Sequence, residues 1–299
     1  LQASRAILVG DRRQHAALLF AHWRHVQHEA RRKVSLRIGN LEELIGALLE
    51  HARCERPEGL AELDRRVELL LHLSSARISD DGSLDDTRDR IEAFAQRNPN
   101  REVRLLEGPR QGSAANYLHL LCHPDLPPGI VALSDQDDVW LPHKLERAVM
   151  QLQAAGPMPS AWAARYMVSD AELNPRGPSN LWPRGPSLGN ALVQNILSGH
   201  TLTLNPSALD SVRRAGLHCV PHHDWWIYLL LMASGAQVLV DTQVVLIYRQ
   251  HSKNVVGARS TVRARLDRLA ALQQGQLRSW VMANMQALAA TNLPLTPEA

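Results

Sequence analysis

The sequence predicts an α/β protein, a mostly parallel sheet flanked by helices. Three observations carry that prediction. From Val67 onward, short apolar runs alternate with stretches of helical periodicity, the pattern of βαβ units. Two of the expected strands end in acidic clusters, Asp80-Asp81-Gly82-Ser83 and Asp135-Gln136-Asp137-Asp138. Ligands in open α/β sheets bind beyond the carboxyl ends of strands, so the two clusters fit one site. The 299 residues, 45% hydrophobic, are enough for one large α/β domain or two smaller ones.

The elements follow in order. Residues 1–66 are rich in Arg, His, Leu, Ala and Glu. They form an atypical N-terminal segment, with Ala6 to Gly10 as a short strand and Glu42 to Cys54 as an amphipathic helix. Val67 to Leu73 reads as an apolar strand or helix end, and Ser79 to Ser83 as a turn. Asp86 to Arg97 has helical periodicity, with Ile91, Phe94 and Ala95 on one face. Glu102 to Leu106 is a strand, Gly112 to Leu121 a helix, Ile130 to Leu133 a strand, and Leu141 to Ala154 a helix with Pro142 in its first turn. The Pro- and Gly-dense stretch 171–190 reads as a mobile loop. Thr201 to Leu204 is a strand. The apolar tract Trp225 to Val240 is short for a membrane span and contains Ser234, Gly235 and Gln237. It reads as a buried helix, a glycine stop and a buried strand. Arg263 to Ala290 is helical. The expected division is 1–66, a catalytic domain over 67–260, and a helical C-terminal tail over 261–299.

Composition excludes several classes. The net charge is +3 with the 14 histidines neutral, and no Lys/Arg block stands out, so no nucleic-acid partner is implied. Cys54, Cys122 and Cys219 are scattered and odd in number, which argues against a disulfide framework and for a reducing compartment. No secretory signal is evident in residues 1–30. A cytoplasmic location follows, with peripheral contact at the inner face of the membrane left open.

The acidic runs carry the chemistry. Three carboxylates within Asp135 to Asp138, after a buried strand, repel one another and need a partner. A hard divalent cation is the natural one, Mg²⁺ or Mn²⁺, and it can hold a diphosphate. Helix capping by Asp137 or Asp138 explains one carboxylate, not three. Asp135 and Asp137, two apart on an extended segment, project to one side. One can touch a ribose or sugar and the other a metal. Asp80-Asp81-Gly82-Ser83 is either an ordinary Asp-Gly turn or a carboxylate aimed at a base or ribose. Asp224, ahead of the most apolar helix, is placed as its N-cap and also as a rigidly aimed base. Arg249 and His251 share one side of an extended segment and suit a pyrophosphate site, Arg for the oxygens and neutral His for a metal. His222-His223 is weak evidence for zinc.

These residues, in order, resemble family 2 glycosyltransferases. The resemblance rests on Ser79 to Ser83 with Asp86-Thr87, Gly112 to Asn116, Leu133 to Leu145, Ser198 to Thr201, His223 to Trp226, and Tyr248 to Gly257. Within that family the bacterial rhamnosyltransferase-like branch is the nearest. The resemblance implies a GT-A-type fold and an inverting transfer. It places Asp80, Asp81, Asn116, Asp135 and Arg249 around the nucleotide-sugar, with Asp135 and Asp137 as the DxD pair. It makes Asp137 and His251 the metal ligands and Asp224 the general base. It further implies a dTDP-rhamnose or UDP-sugar donor and a saccharide or lipid-linked saccharide acceptor of a cell-surface polysaccharide. One departure is visible. The family opens with an apolar strand ending in a Thr-Tyr-Asn-like turn, whereas Asn40 to Cys54 has a helix-like pattern. Two other classes use the same residues: a nucleotidyltransferase or hydrolase, and a nucleotide-binding relic without catalysis.

Overall fold

In a computed structural model of the chain, the described residues are 5–11, 74–135, 137–250, 275–297 and 299; strand 5–11 is described by its backbone. The expected helix over Glu42 to Cys54, the run Val67 to Leu73, and His251 lie outside them. The strands are β1 Arg5–Asp11, β2 Ser74–Asp80, β3 Glu102–Glu107, β4 Ile130–Ser134, β5 Val139–Trp140, β6 Ser160–Ser169, β7 Pro175–Pro178, β8 Thr203–Leu204 and β9 Gln237–Arg249. The helices are α1 Thr87–Arg97, α2 Ser113–Cys122, α3 Lys144–Ala154, α4 Leu188–Val193, α5 Pro206–Ala215, α6 His223–Ala233 and α7 Gln276–Ala290, with a 3₁₀ turn at Gly199–Thr201.

The strands form one sheet in the order β3-β2-β1-β4-β8-β6-β9-β5, with β7 on β6. The α/β class is as expected, but the expected parallel pairing needs correction. Only β2–β3 and β6–β9 pair in parallel among the described strands. β1 is antiparallel to both β2 and β4, β8 is antiparallel to β4 and β6, and β5 is antiparallel to β9. By these pairings β2, β3, β4, β6 and β9 all point one way, with reversed strands interleaved. β2 and β4 therefore end at the same edge, where Asp80 lies opposite Arg5 and Ser134 opposite Ile7. Both acidic clusters sit at that edge.

Local chemistry explains the elements. β2 has period-2 burial, but its buried face is Ser75, Arg77 and Ser79. The Arg77 guanidinium is held by Glu102 at 2.7 Å and the Asp125 carbonyl at 2.9 Å, which offsets its desolvation. α5 starts with Pro206 behind Asn205, whose side chain accepts from Ala208 N at 2.9 Å, an N-cap. α6 buries eight of its residues, Trp226 to Leu231 among them. It packs with α2 and α5 over β4 in a cluster that includes Leu118, Leu121, Leu133, Leu204, Val212 and Leu230. Ala148 and Leu152 of α3 cover Trp162 and Val245 in a second cluster. The Pro175–Pro178 strand lies inside the stretch expected to be a loop, paired to β6 through a register shift.

Candidate active site

The acidic turn after β4 is held from three sides. The Tyr117 hydroxyl, on α2, lies 2.7 Å from Ser134 O and 2.6 Å from Asp135 Oδ1. His200, in the 3₁₀ turn, places Nδ1 2.9 Å from Asp138 Oδ2 and 3.6 Å from Asp135 Oδ2. Asp138 Oδ1 accepts from Arg249 N, at the end of β9, at 3.3 Å. Burial opposes ionisation of Asp135, but the bond and charge of His200 and the Tyr117 hydroxyl outweigh it and hold its carboxyl at about 2. Burial pushes the Asp138 carboxyl up, and the His200 charge offsets this only in part. Burial also works against the His200 imidazolium, yet Asp138 and Asp135 hold it up to about 9. Its ring packs against Tyr166 and Tyr248, with centroids 4.6 and 5.0 Å away. Ligand atoms of Asp135, Asp138 and His200 all lie within 4.8 Å of one another. Two carboxylates and an imidazole are a fitting donor set for a divalent cation. Asp137 is half-buried beside them.

Capping does not account for these carboxylates. α3 begins at Lys144 with His143 in the N-cap position and no side-chain cap, so neither Asp137 nor Asp138 serves it. Asp224 is likewise not the cap of α6, because His222 occupies that place. Asp224 lies in the first turn, accepting from Gly199 N at 3.0 Å and Trp225 N at 2.8 Å. A Cβ on Gly199 would meet His223 Nε2 at 2.6 Å, so only glycine allows the turn this close to α6. His223 stacks on Tyr117 with centroids 4.0 Å apart. The 3₁₀ turn thus carries His200 toward the acidic turn and anchors Asp224 through its backbone.

The second acidic end is a tight internal assembly. Asp80 is buried, accepts from the Ser83 hydroxyl, and pairs with Arg88 at 3.2 Å. Asp81 uses one oxygen on Arg110 N at 2.6 Å and the other on Gly112 N at 2.7 Å. Asn116 is fully buried and exchanges bonds with Ser79, accepting from its hydroxyl at 2.6 Å and donating to its carbonyl at 3.1 Å. Asn116, which the resemblance places on the nucleotide-sugar, thus also braces β2. Its neighbour Tyr117 braces β4, so two adjacent residues of α2 staple both acidic strand ends. Trp225 and Trp226 are core residues, the former donating to Ala191 O at 2.7 Å. Trp182, in the Pro- and Gly-dense stretch, is exposed.

The structure brings Asp135, Asp138, Arg249 and, through the 3₁₀ turn, Asp224 together at one sheet edge. Tyr117 and the role of His200 were missed from sequence. His200 lies in the Ser198-to-Thr201 motif, a signal without an assigned role, and Tyr117 carries no local signal.

Comparison with known proteins now bears on this geometry. Residues 77–204, which span β2 to β8, match the family described as Glycosyl transferase family 2. That match places the likeness on the strands and turns that carry both acidic ends. The chain is 26% identical over 225 residues to the dTDP-rhamnosyl transferase RfbG of Shigella flexneri, covering 71% of the chain and 75% of the relative. It is 28% identical over 145 residues to an uncharacterized glycosyltransferase of Nostoc sp. (strain PCC 7120), covering 48% of the chain and 42% of that protein. A mannosyltransferase of Pyrobaculum calidifontis, solved with GDP-Man and Mn²⁺, aligns with TM-score 0.42 and 20% identity, over 71% of the chain and 61% of the solved one. No helix among the described residues is long and apolar enough to cross a membrane.

Proposed function

We propose that the chain moves a sugar, rhamnose in the first instance, from a nucleotide-sugar to a saccharide or lipid-linked saccharide acceptor, with inversion and with a divalent cation. The observation that carries the reading is the 3₁₀ turn. It presents His200 to Asp135 and Asp138 on one side and fixes Asp224 through Gly199 N on the other. Asp135, Asp138 and His200 would hold Mg²⁺ or Mn²⁺, with Asp137 offering a further oxygen. When bound, the cation supplies positive charge for the departing diphosphate. Asp224 Oδ takes the acceptor hydroxyl proton as that oxygen bonds the anomeric carbon. The bond from the anomeric carbon to the diphosphate oxygen breaks, and its electron pair leaves with the nucleoside diphosphate. Two backbone N–H bonds keep Asp224 aimed, and holding donor and acceptor in line supplies much of the gain. Asp80, Asp81, Asn116 and Arg249 shape the nucleotide side. Asp81 does so by fixing the 110–112 backbone. The rhamnosyl donor rests on the likeness to the Shigella protein.

A second reading, a nucleotide-binding relic, draws on the reversed β1, whose carboxyl end lies away from the site edge. One experiment separates the two. Thermal shifts with dTDP-rhamnose, UDP-glucose and UDP-galactose, each with and without Mn²⁺ or Mg²⁺, should show a cation-dependent rise, about 2.7 kcal/mol at a hundredfold excess over Kd. Transfer to an acceptor pool should follow with the same donor. Binding without transfer to any acceptor or to water favours the relic. Preference for a UDP-hexose refutes the rhamnosyl donor alone.

A further inference from the structure

Lys144 opens α3 and is fully buried. A lysine there is costly unless its charge and donors are met. They are met by backbone. Nζ donates to His200 O at 2.6 Å and to Leu133 O at 3.3 Å, and it lies 3.4 Å from the centre of the Trp140 ring. Burial pushes its amine well down, while Asp138 and Asp135 act in the other direction. An amine keeps N–H donors in either charge state. The two carbonyls are not arbitrary. Leu133 is the penultimate residue of β4, two before Asp135. His200 lies on the separate turn whose imidazole meets Asp135 and Asp138. No sheet ladder joins Leu133 directly to His200; their backbones are linked by Leu133 N to Leu202 O at 2.9 Å and by this lysine. For stability alone, an apolar side chain of similar volume would fill the space without a desolvation cost.

We propose that Lys144 is a positioning residue for the cation site. It ties the end of β4 to the His200 turn and so sets the spacing of Asp135, Asp138 and His200. Through Gly199 N the same tie bears on the aim of Asp224. The inference rests on the reading of that site as cation-dependent. Partners one step behind metal ligands typically change metal affinity or activity by roughly 10–100-fold when removed.

The test is Lys144→Met, with dTDP binding measured by calorimetry in excess EDTA and again in Mn²⁺. The readout is the Mn²⁺-dependent gain in affinity, measured well below each Tm, because a purely structural lysine would lower Tm and leave that gain intact. The expected result is a gain reduced by roughly 10–100-fold, with binding in EDTA little changed. Gly199→Ala pushes the same turn from its far side, since its Cβ would lie 2.6 Å from His223 Nε2. It should reduce the gain in the same way, and it decides the matter if Lys144→Met does not fold. A full gain in whichever folded variant is measured overturns the inference while leaving the cation reading in place. Absence of any gain in the unmodified protein overturns that reading and the inference with it.

Discussion

Asp81→Asn is the sharpest probe of the nucleotide side. By resemblance Asp81 contacts the nucleoside, yet its oxygens already hold Arg110 N at 2.6 Å and Gly112 N at 2.7 Å. That loop needs holding. Arg110 has φ 59 and Gly112 φ 93, and a non-glycine residue in the left-handed region is sparsely populated and persists when its surroundings enforce it. Gly108 packs so closely that a Cβ would sit 2.6 Å from Asn116 Oδ1. The asparagine keeps one acceptor and turns a donor toward the other N–H. One charge-assisted bond is lost and one amide is left facing a donor, about 2–4 kcal/mol in all. For a domain of this size that lowers Tm by roughly 5–12 °C. Differential scanning fluorimetry without ligand reads this directly, and calorimetry with dTDP reads the pocket. The reasoning is refuted if Tm moves by less than about 2 °C while dTDP binding is lost, for then Asp81 meets the nucleoside and does not hold the loop.

Three further outcomes are expected. Asp224→Asn keeps both shape and an acceptor for Gly199 N but cannot take a proton; steady-state kinetics should show turnover down by about 10²–10⁴ with donor affinity nearly unchanged, and a loss of only a few-fold would leave Asp224 a purely structural group. Asp137→Ala should weaken Mn²⁺-dependent dTDP binding by an order of magnitude or more with the circular dichroism spectrum unaltered; undiminished binding removes Asp137 from the cation site. In chelator-treated protein, His200 is held at about 9 against an ordinary 6.5, so its ion pair stabilises fully below pH 6.5 and is lost as pH rises through 9, a change on the order of 3 kcal/mol. Tm followed across that window should fall in the parent and stay flatter in His200→Gln, and parallel curves would remove His200 as the source.

Much of the fold was legible where one physical signal dominated. Ile130 to Leu133 and the apolar α6 announced themselves by composition, and Ala6 to Gly10 proved to lie within a strand. β2 did not. Its inward residues are Ser75, Arg77 and Ser79, so the eye settles on the apolar run just before it. What satisfies Arg77 and Ser79 there is long-range pairing to Glu102, Asp125 and Asn116, which no local window contains. α3 starts later than Leu141 because Val139 and Trp140 first pair with β9. The acidic turn was legible as a site, since three carboxylates in four residues have no cheap structural use. Its partners were not, because Tyr117 and His200 reach it from α2 and from the 3₁₀ turn after α4, by contacts only the tertiary fold creates.

The reversed β1 also settles how the chain threads its own sheet. Asp11 pairs directly with Ser74, so the two strands are the arms of a hairpin whose connection is the whole stretch 12–73. The sheet needs only that the arms meet. Joining Asp11 to Ser74 through a short Asn-Gly turn should therefore leave the nine strands intact.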